Sequence, residues 1–214
     1  MRPTNAPHTP HALPNPAPIA VPVCRPVPGA RRRLLKAAVL GVAAPTLLSS
    51  RLASAAEAGD TAVWRKLEAA TWVRDGREGA GRIVYVITDP GCQWCHRFWE
   101  ASRPWVQAGK VQVRHVLVGI VRPDSARKAA TILNAQDPAA AIEQNELAFR
   151  RGGIFPAPEV DAAVQRALDG NLQLMRELGF RGTPALVYRN ASGDVEKLAG
   201  FPREDRLRSL MGEL

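Results

Sequence analysis

An α/β domain is the fold class the sequence predicts, on three observations. Ile83-Val84-Tyr85-Val86-Ile87 is an apolar, partly β-branched run that stops at Pro90-Gly91, as a buried strand does. From Cys92 onward apolar side chains recur at helical spacing, with Phe98, Trp99, Trp105 and Val106 turned toward a core. Near the C-terminus, Ala185 to Arg189 and Val195 to Leu198 flank the turn residues Asn190 to Gly193, a hairpin pattern.

The other elements follow in order. Thr61 to Ala70 reads as a short amphipathic helix, and Trp72-Val73 as an edge strand before the turn at Asp75-Gly76. Arg82 to Thr88 is the buried central strand. Pro104 is expected to kink or split the helix that starts near Cys92. Lys110 to Val118 is a second strand, with Val111, Val113 and His115-Val116 in alternation. Residues 124–179 read as the helices Ser125–Asn134, Pro138–Arg150 and Glu159–Leu178, broken by Gly152-Gly153 and Pro156. Asp137-Pro138 supplies an N-cap followed by proline at the first helical position. Arg203 to Leu214 closes the chain as a helix. Strand–helix–strand, helical insert, hairpin, helix is the order of a thioredoxin-like fold with a helical insertion before the cis-proline hairpin. Thr183-Pro184 is the candidate for that proline, since X-Pro bonds alone have an appreciable cis population.

The N-terminus is of another kind. Residues 1–30 hold nine of the eighteen prolines and no acidic residue, and are expected to be a disordered extension. Residues 31–56 read as an export signal. Arg31-Arg32-Arg33-Leu34-Leu35-Lys36 starts it, an Ala/Leu/Val-rich run from Ala37 to Leu48 follows, and Ala53-Ser54-Ala55-Ala56 offers small residues for cleavage. The arginine pattern resembles a twin-arginine signal, with Leu34 where phenylalanine is common; the general secretory route and an uncleaved anchor remain alternatives. Residues 57–80 are then a linker helix and edge segment, and 81–214 the catalytic domain. Residues 1–56 hold seven basic residues and no acidic one, which leaves 22 basic against 20 acidic in the remainder. The net charge of +9 is therefore mostly a feature of the leader, and no nucleic-acid partner is expected. Cys24 leaves with the signal, so the mature domain keeps two cysteines in an oxidising compartment.

Those two form Cys92-Gln93-Trp94-Cys95, at the point where a strand gives way to a helix. Strand-then-CxxC is the context of a thioredoxin-like redox site. The thiolate is the nucleophile in exchange, and a helix start stabilises negative charge through its free N–H groups and dipole. Cys92, nearer that end and expected to be the more exposed, is the candidate attacking thiol; Cys95, facing inward, is the resolving one. Trp94, Thr183 and Pro184 are candidate substrate-binding residues. Alternatives stay open. His96 completes C-x-x-C-H, a c-type haem signature, with Met175 or Met211 as second axial ligand. Zinc would need a fourth ligand beyond the two cysteines and His96, and His115 is the nearest candidate along the chain. An inert buried disulfide and a non-catalytic chaperone or binding module complete the set. The dithiol reading calls for no cofactor and no metal.

Several stretches together resemble DsbG and its relative DsbC, periplasmic disulfide isomerases and reductases. They are Val84 to Pro90, Cys92 to His96 with Phe98-Trp99, Gly109 to His115, Leu117 to Ile120, Thr183-Pro184-Ala185 and Gly200-Phe201-Pro202. The resemblance covers roughly residues 61–214. It implies Cys92 as attacking thiol, Cys95 as resolving thiol and Pro184 as the cis-proline. It also implies oxidised periplasmic client proteins as substrates and a membrane thiol reductant of the DsbD type as electron source. That family carries an N-terminal dimerisation domain before the catalytic unit. Only the equivalent of its connecting helix is recognised here, so a monomer is expected and reductase activity is favoured over isomerase activity. A dithiol oxidase running the same steps backwards is the alternative direction.

Overall fold

The structure is a computed structural model that describes residues 46–214, with side chains from residue 58 onward. The Pro-rich extension and residues 31–45 of the expected export signal lie outside the described residues. The described elements are α1 (Thr46–Ala69), β1 (Val73–Asp75), β2 (Arg82–Thr88), α2 (Gln93–Gln107), β3 (Val111–Leu117), α3 (Ser125–Leu133), α4 (Pro138–Leu147), α5 (Ala162–Glu177), β4 (Ala185–Arg189), β5 (Val195–Ala199) and α6 (Glu204–Met211). A 3-10 turn, Phe149–Arg151, follows α4.

The strands form one sheet in the order β1-β3-β2-β4-β5. The α2 crossover makes β2 and β3 parallel, while β1 joins β3, and β4 joins β2 and β5, antiparallel. Register puts Val84 opposite both Val113 and Tyr188, so alternate residues of three strands share a face. One face, with Val84, Val86, Val113 and Leu186, packs against Phe98 of α2 and Leu207 and Leu210 of α6. The other, with Tyr85, Ile87, Val116 and Val187, packs against Leu67 of α1 and Leu174 and Met175 of α5. Both faces of β2 are thus covered, which is why its sequence runs apolar without alternation. A side chain such as Ile87, fully buried, contributes about 1.5–3 kcal/mol. A third cluster joins Trp99 and Leu117 to Ile132, Ile142 and Leu168 of the helical insert.

Several elements differ from expectation; the closing helix, for one, stops at Met211 rather than Leu214, and the edge strand is Val73–Asp75. The helix at 61–70 is only the end of α1, which begins at Thr46. The Ala- and Leu-rich residues upstream are strong helix formers and extend it through the stretch assigned to signal cleavage. Pro104 does not split α2. It falls in the last turn, where one lost hydrogen bond matters little and Trp105 and Val106 hold the backbone to the core. The helix expected at Pro138–Arg150 ends at Leu147 and tightens to the 3-10 turn, which Gly152 stops at φ +102°. Helix α5 starts at Ala162 rather than Glu159, because Asp161 caps it by accepting from the N–H groups of Ala163 and Val164, both at 2.9 Å. No helix among the described residues is long and apolar enough to cross a membrane.

Candidate active site

Strand β2 delivers the chain to α2 through Asp89-Pro90-Gly91. Asp89 is buried, and its carboxylate accepts four hydrogen bonds. Gly91 N (2.8 Å) and Ser125 Oγ (2.6 Å) donate to Oδ1, and Ile120 N (2.7 Å) and Val121 N (3.0 Å) to Oδ2. One side chain thereby fixes both the turn before Cys92 and the loop after β3. Glycine is required at 91 by crowding. A Cβ there would meet Ser125 Oγ at 2.8 Å and Arg122 Cδ at 2.9 Å.

Cys92 is the N-cap of α2. Its Sγ accepts from Cys95 N at 3.2 Å and lies 3.4 Å from the Thr183 carbonyl oxygen. Both cysteines are free thiols. The Cys95 thiol, hydrogen-bonded to Cys92, does most to pull the Cys92 pKa down to about 6. Burial opposes it, and the Thr183 side chain and the N–H groups of Cys95 and Trp94 assist. Cys95 moves the other way: burial pushes its pKa well above the ordinary thiol range, and the neighbouring Cys92 adds to the rise. The expectation that Cys92 is the open thiol needs correction. It is 4% exposed against 3% for Cys95, though Cys95 lies deeper. The Thr183 backbone stands directly against it.

The Thr183-Pro184 peptide bond is cis. Thr183 Oγ1 is buried with no hydrogen-bond partner among the described residues, and it lowers the pKa of both thiols. Trp94 is 50% exposed. Its ring lies 6.4 Å from that of Phe201, and the Arg97 guanidinium covers both rings at 5.1 and 5.2 Å. Structure thus brings Cys92, Cys95 and Thr183-Pro184 together, and adds Arg97 and Phe201 beside Trp94. Sequence reasoning had named Phe201 only as part of a resemblance and Arg97 not at all.

His96 belongs to a different cluster. Its Nδ1 is hydrogen-bonded with Glu146 Oε2 at 2.9 Å, and its ring stacks on Phe149 at 4.4 Å. Asn145 Nδ2 donates to Pro90 O at 3.2 Å and to Glu146 Oε1 at 3.1 Å, which fastens α4 to the turn that presents Cys92. Burial raises the Glu146 pKa. Sequence reasoning missed this cluster, since its halves lie some fifty positions apart and no spacing links them. The haem alternative loses its ligands here. His96 is enclosed by Glu146 and Phe149, and Met175 and Met211 are buried on opposite faces of the sheet. His115 bonds Asp75 at 3.2 Å, and among the described residues no three His, Cys, Asp or Glu side chains gather as metal ligands.

A dithiol at the first turn of the helix after the central strand, faced by a cis-proline loop, defines a thioredoxin-like redox centre. The chain belongs to the thioredoxin-like domain family, whose family model matches residues 75–214. The thiol:disulfide interchange protein DsbG of Pseudomonas aeruginosa is 43% identical over 150 residues, which cover 70% of this chain and 59% of that protein. The protein of the same name from Escherichia coli is 37% identical over 150 residues, covering 70% and 60%. The chain thus spans about 60% of the length of these curated relatives. Among solved structures, the catalytic domain of Proteus mirabilis ScsC matches with a TM-score of 0.58 at 22% identity, over 71% of this chain and 93% of that one. It shares the fold.

Proposed function

We propose that this chain is a periplasmic thiol:disulfide oxidoreductase that reduces or isomerises oxidised cysteines of client proteins. One observation carries the reading: Cys92 caps α2 with the Cys95 N–H on its sulfur and the cis Thr183-Pro184 loop against it, an arrangement that lowers the Cys92 pKa to about 6 while that of Cys95 rises. At pH 7 Cys92 is then mostly thiolate. That thiolate attacks one sulfur of a client disulfide, an S–S bond forms, and the other client sulfur leaves as a thiolate. Cys95 gives up its proton and attacks Cys92 Sγ. The client leaves reduced by two electrons, and the domain keeps a Cys92–Cys95 disulfide. With a sulfenic acid the leaving group is hydroxide, released as water once protonated. Trp94 and the Thr183-Pro184 backbone form the surface against which the client segment lies. Renewal of the dithiol falls to a membrane thiol reductant of the DsbD type. The Arg31 to Ala56 pattern supports export, with residues 1–30 an extension, 57–80 a linker and 81–214 the catalytic domain, acting as a monomer.

The test is insulin reduction beside trapping in the native periplasm. Cys92→Ser abolishes turnover, and Cys95→Ser accumulates mixed disulfides with clients. Turnover by Cys92→Ser at the wild-type rate overturns the reading. Dithiol oxidation is the second reading, favoured by the depressed Cys92 alone, because a stabilised thiolate favours the reduced dithiol and makes its disulfide a stronger oxidant. Alkylation of the pair before lysis decides the direction: reduced for a reductase, oxidised for an oxidase.

A further inference from the structure

We propose that the cavity beside Gly91 is a carboxylate-binding subsite, selecting oxidised substrates that carry an acidic group near the reacting sulfur. This rests on the dithiol reading above. The cavity holds about 450 Å³ and is walled by Pro90-Gly91 on one side and by Arg122, Lys128, Phe149 and Arg150 on others. Its volume falls in the range of small-ligand sites, roughly 300–1,000 Å³. Gly91 directly precedes Cys92, so their Cα atoms stand about 3.8 Å apart. Cys92 itself does not line the cavity, so in this proposal it is a group flanking the substrate's reacting sulfur, not the sulfur, that reaches the cavity mouth.

The charge in the cavity is unbalanced in one direction. Three cations line it against a single carboxylate, Asp124. Asp124 is committed to Lys128, whose Nζ it meets at 2.8 Å and which is only 6% exposed. Arg122 and Arg150 have no carboxylate partner among the described residues. Arg122 is also held in place. Its backbone N–H donates to Ser125 Oγ at 3.0 Å and its Nε to Gly91 O at 3.0 Å. Its stem fills the space that a side chain at 91 would take, with Cδ 2.9 Å from the Cβ position. With Nε anchored, the two terminal amino groups remain for a ligand, and a guanidinium presents such donors in the geometry of a carboxylate. The substrates of thiol exchange are polypeptides and thiol metabolites, and the anion both carry is the carboxylate. An Asp or Glu close to a client cysteine, or the carboxylates of a small thiol, would supply it.

The experiment follows release of 2-thiopyridone from pyridyl-disulfide peptides that differ only in the residues flanking cysteine, which are Glu, Ala or Lys. The reduced wild type takes the Glu peptide about fivefold faster than the Ala peptide, and the Lys peptide slower still, as exposed charge pairs allow. The preference collapses as salt rises from about 10 mM to about 1 M. In R122Q/R150Q the Glu-to-Ala ratio approaches one, whatever the overall rate. Arg150 is exposed and bonds no other described residue, so R150Q alone, with an intermediate ratio, keeps the test readable if losing Arg122 loosens the turn. R150K restores the ratio. A second arm compares glutathione disulfide with its ethyl ester: a preference found only among peptides assigns the subsite to clients, and one found only here assigns it to a small thiol. Equal rates in both arms, or a preference unchanged in R122Q/R150Q, overturn the subsite. Failure to release thiopyridone from any peptide overturns the dithiol reading on which it stands.

Discussion

The first turn of α2 and the seam beneath it both bury titratable groups, yet push them in opposite directions. Cys92, at the turn, is 4% exposed and its pKa falls to about 6. Cys95, on the inner side of that turn, and Glu146, in the seam below it, are 3% and 7% exposed, and both pKa values rise. Surface exposure does not separate them, although Cys95 and Glu146 lie deeper and burial is the main cause of their rise. The donors around each group do. Cys92 faces a thiol, a hydroxyl and two helix N–H groups, all favouring its charged form. Glu146 has hydrogen bonds with His96 and Asn145 and the nearby His115, too little to offset burial. Asp75, where Arg103 of the same helix meets β1, extends the comparison. Burial pushes its carboxyl up, but His115 and Arg103 outweigh that and hold it far below the usual carboxylate range. Arg103 Nη1 donates to its Oδ1 at 3.1 Å, and Nη2 to Oδ2. Among the described residues no guanidinium pairs with Glu146.

The largest expected effect comes from removing the strongest donor. Cys95→Ala deprives Cys92 of the thiol that contributes most to its low pKa. The midpoint of Cys92 alkylation by iodoacetamide should move from about 6 toward the ordinary thiol value of about 8.5, slowing the reaction at pH 6 roughly ten- to a hundredfold. Cys95→Ser keeps a hydroxyl donor and should fall between. An unchanged midpoint in Cys95→Ala would assign the low pKa to the helix end instead. Next is Asp75→Asn, with an expected loss of about 2 kcal/mol in urea unfolding at pH 7. A native pKa below the unfolded one stabilises the fold above about pH 3.9 and ceases to as pH falls through the native value. Wild type should therefore lose stability on acidification, and the variant should lose less of it.

Glu146→Gln tests the opposite sign. A carboxyl whose native pKa is raised contributes fully below its unfolded value of about 4.3, and that contribution is lost as pH rises through the native value. Wild type should thus carry a small penalty at neutral pH that Glu146→Gln lacks. The variant should equal or exceed wild type near pH 7, and the difference should vanish in mild acid. A variant much weaker at pH 7 would mean that the His96 contact outweighs the burial of charge.

What the sequence made legible follows from how far each signal reaches along the chain. Strands β2 and β4 end where the apolar runs end, and Asp137 and Cys92 stand where their helices begin. These are local patterns, set by neighbours within a turn or two. The Asp75–His115 and His96–Glu146 pairs span 40 and 50 positions, so no period or spacing announces them. The same limit applies to Arg122. In sequence it reads as one more solvated arginine, and only the fold brings its stem against Gly91. Cys92 shows a subtler gap. Helix position anticipates a stabilised thiolate, but not that the Thr183 loop, 91 residues away, covers it.

The smallest expected effect isolates that loop. Thr183 Oγ1 is buried and has no hydrogen-bond partner among the described residues, which leaves its O–H available to the Cys92 thiolate whose pKa it lowers. An unsatisfied buried hydroxyl costs stability, whereas a hydrogen bond to a charged sulfur repays it. Thr183→Val keeps the shape and removes the donor. Reactivity and stability should then part: Cys92 alkylation at pH 6 should slow about threefold, while urea unfolding of the reduced form at the same pH should show equal or greater stability, by up to about 1 kcal/mol. A variant that loses stability with no change in alkylation would mean that the hydroxyl serves packing alone. Loss of both would mean that the loop itself has moved. Only slower alkylation in a protein at least as stable identifies Thr183 as a group that the fold leaves unsatisfied for the sake of the Cys92 thiolate.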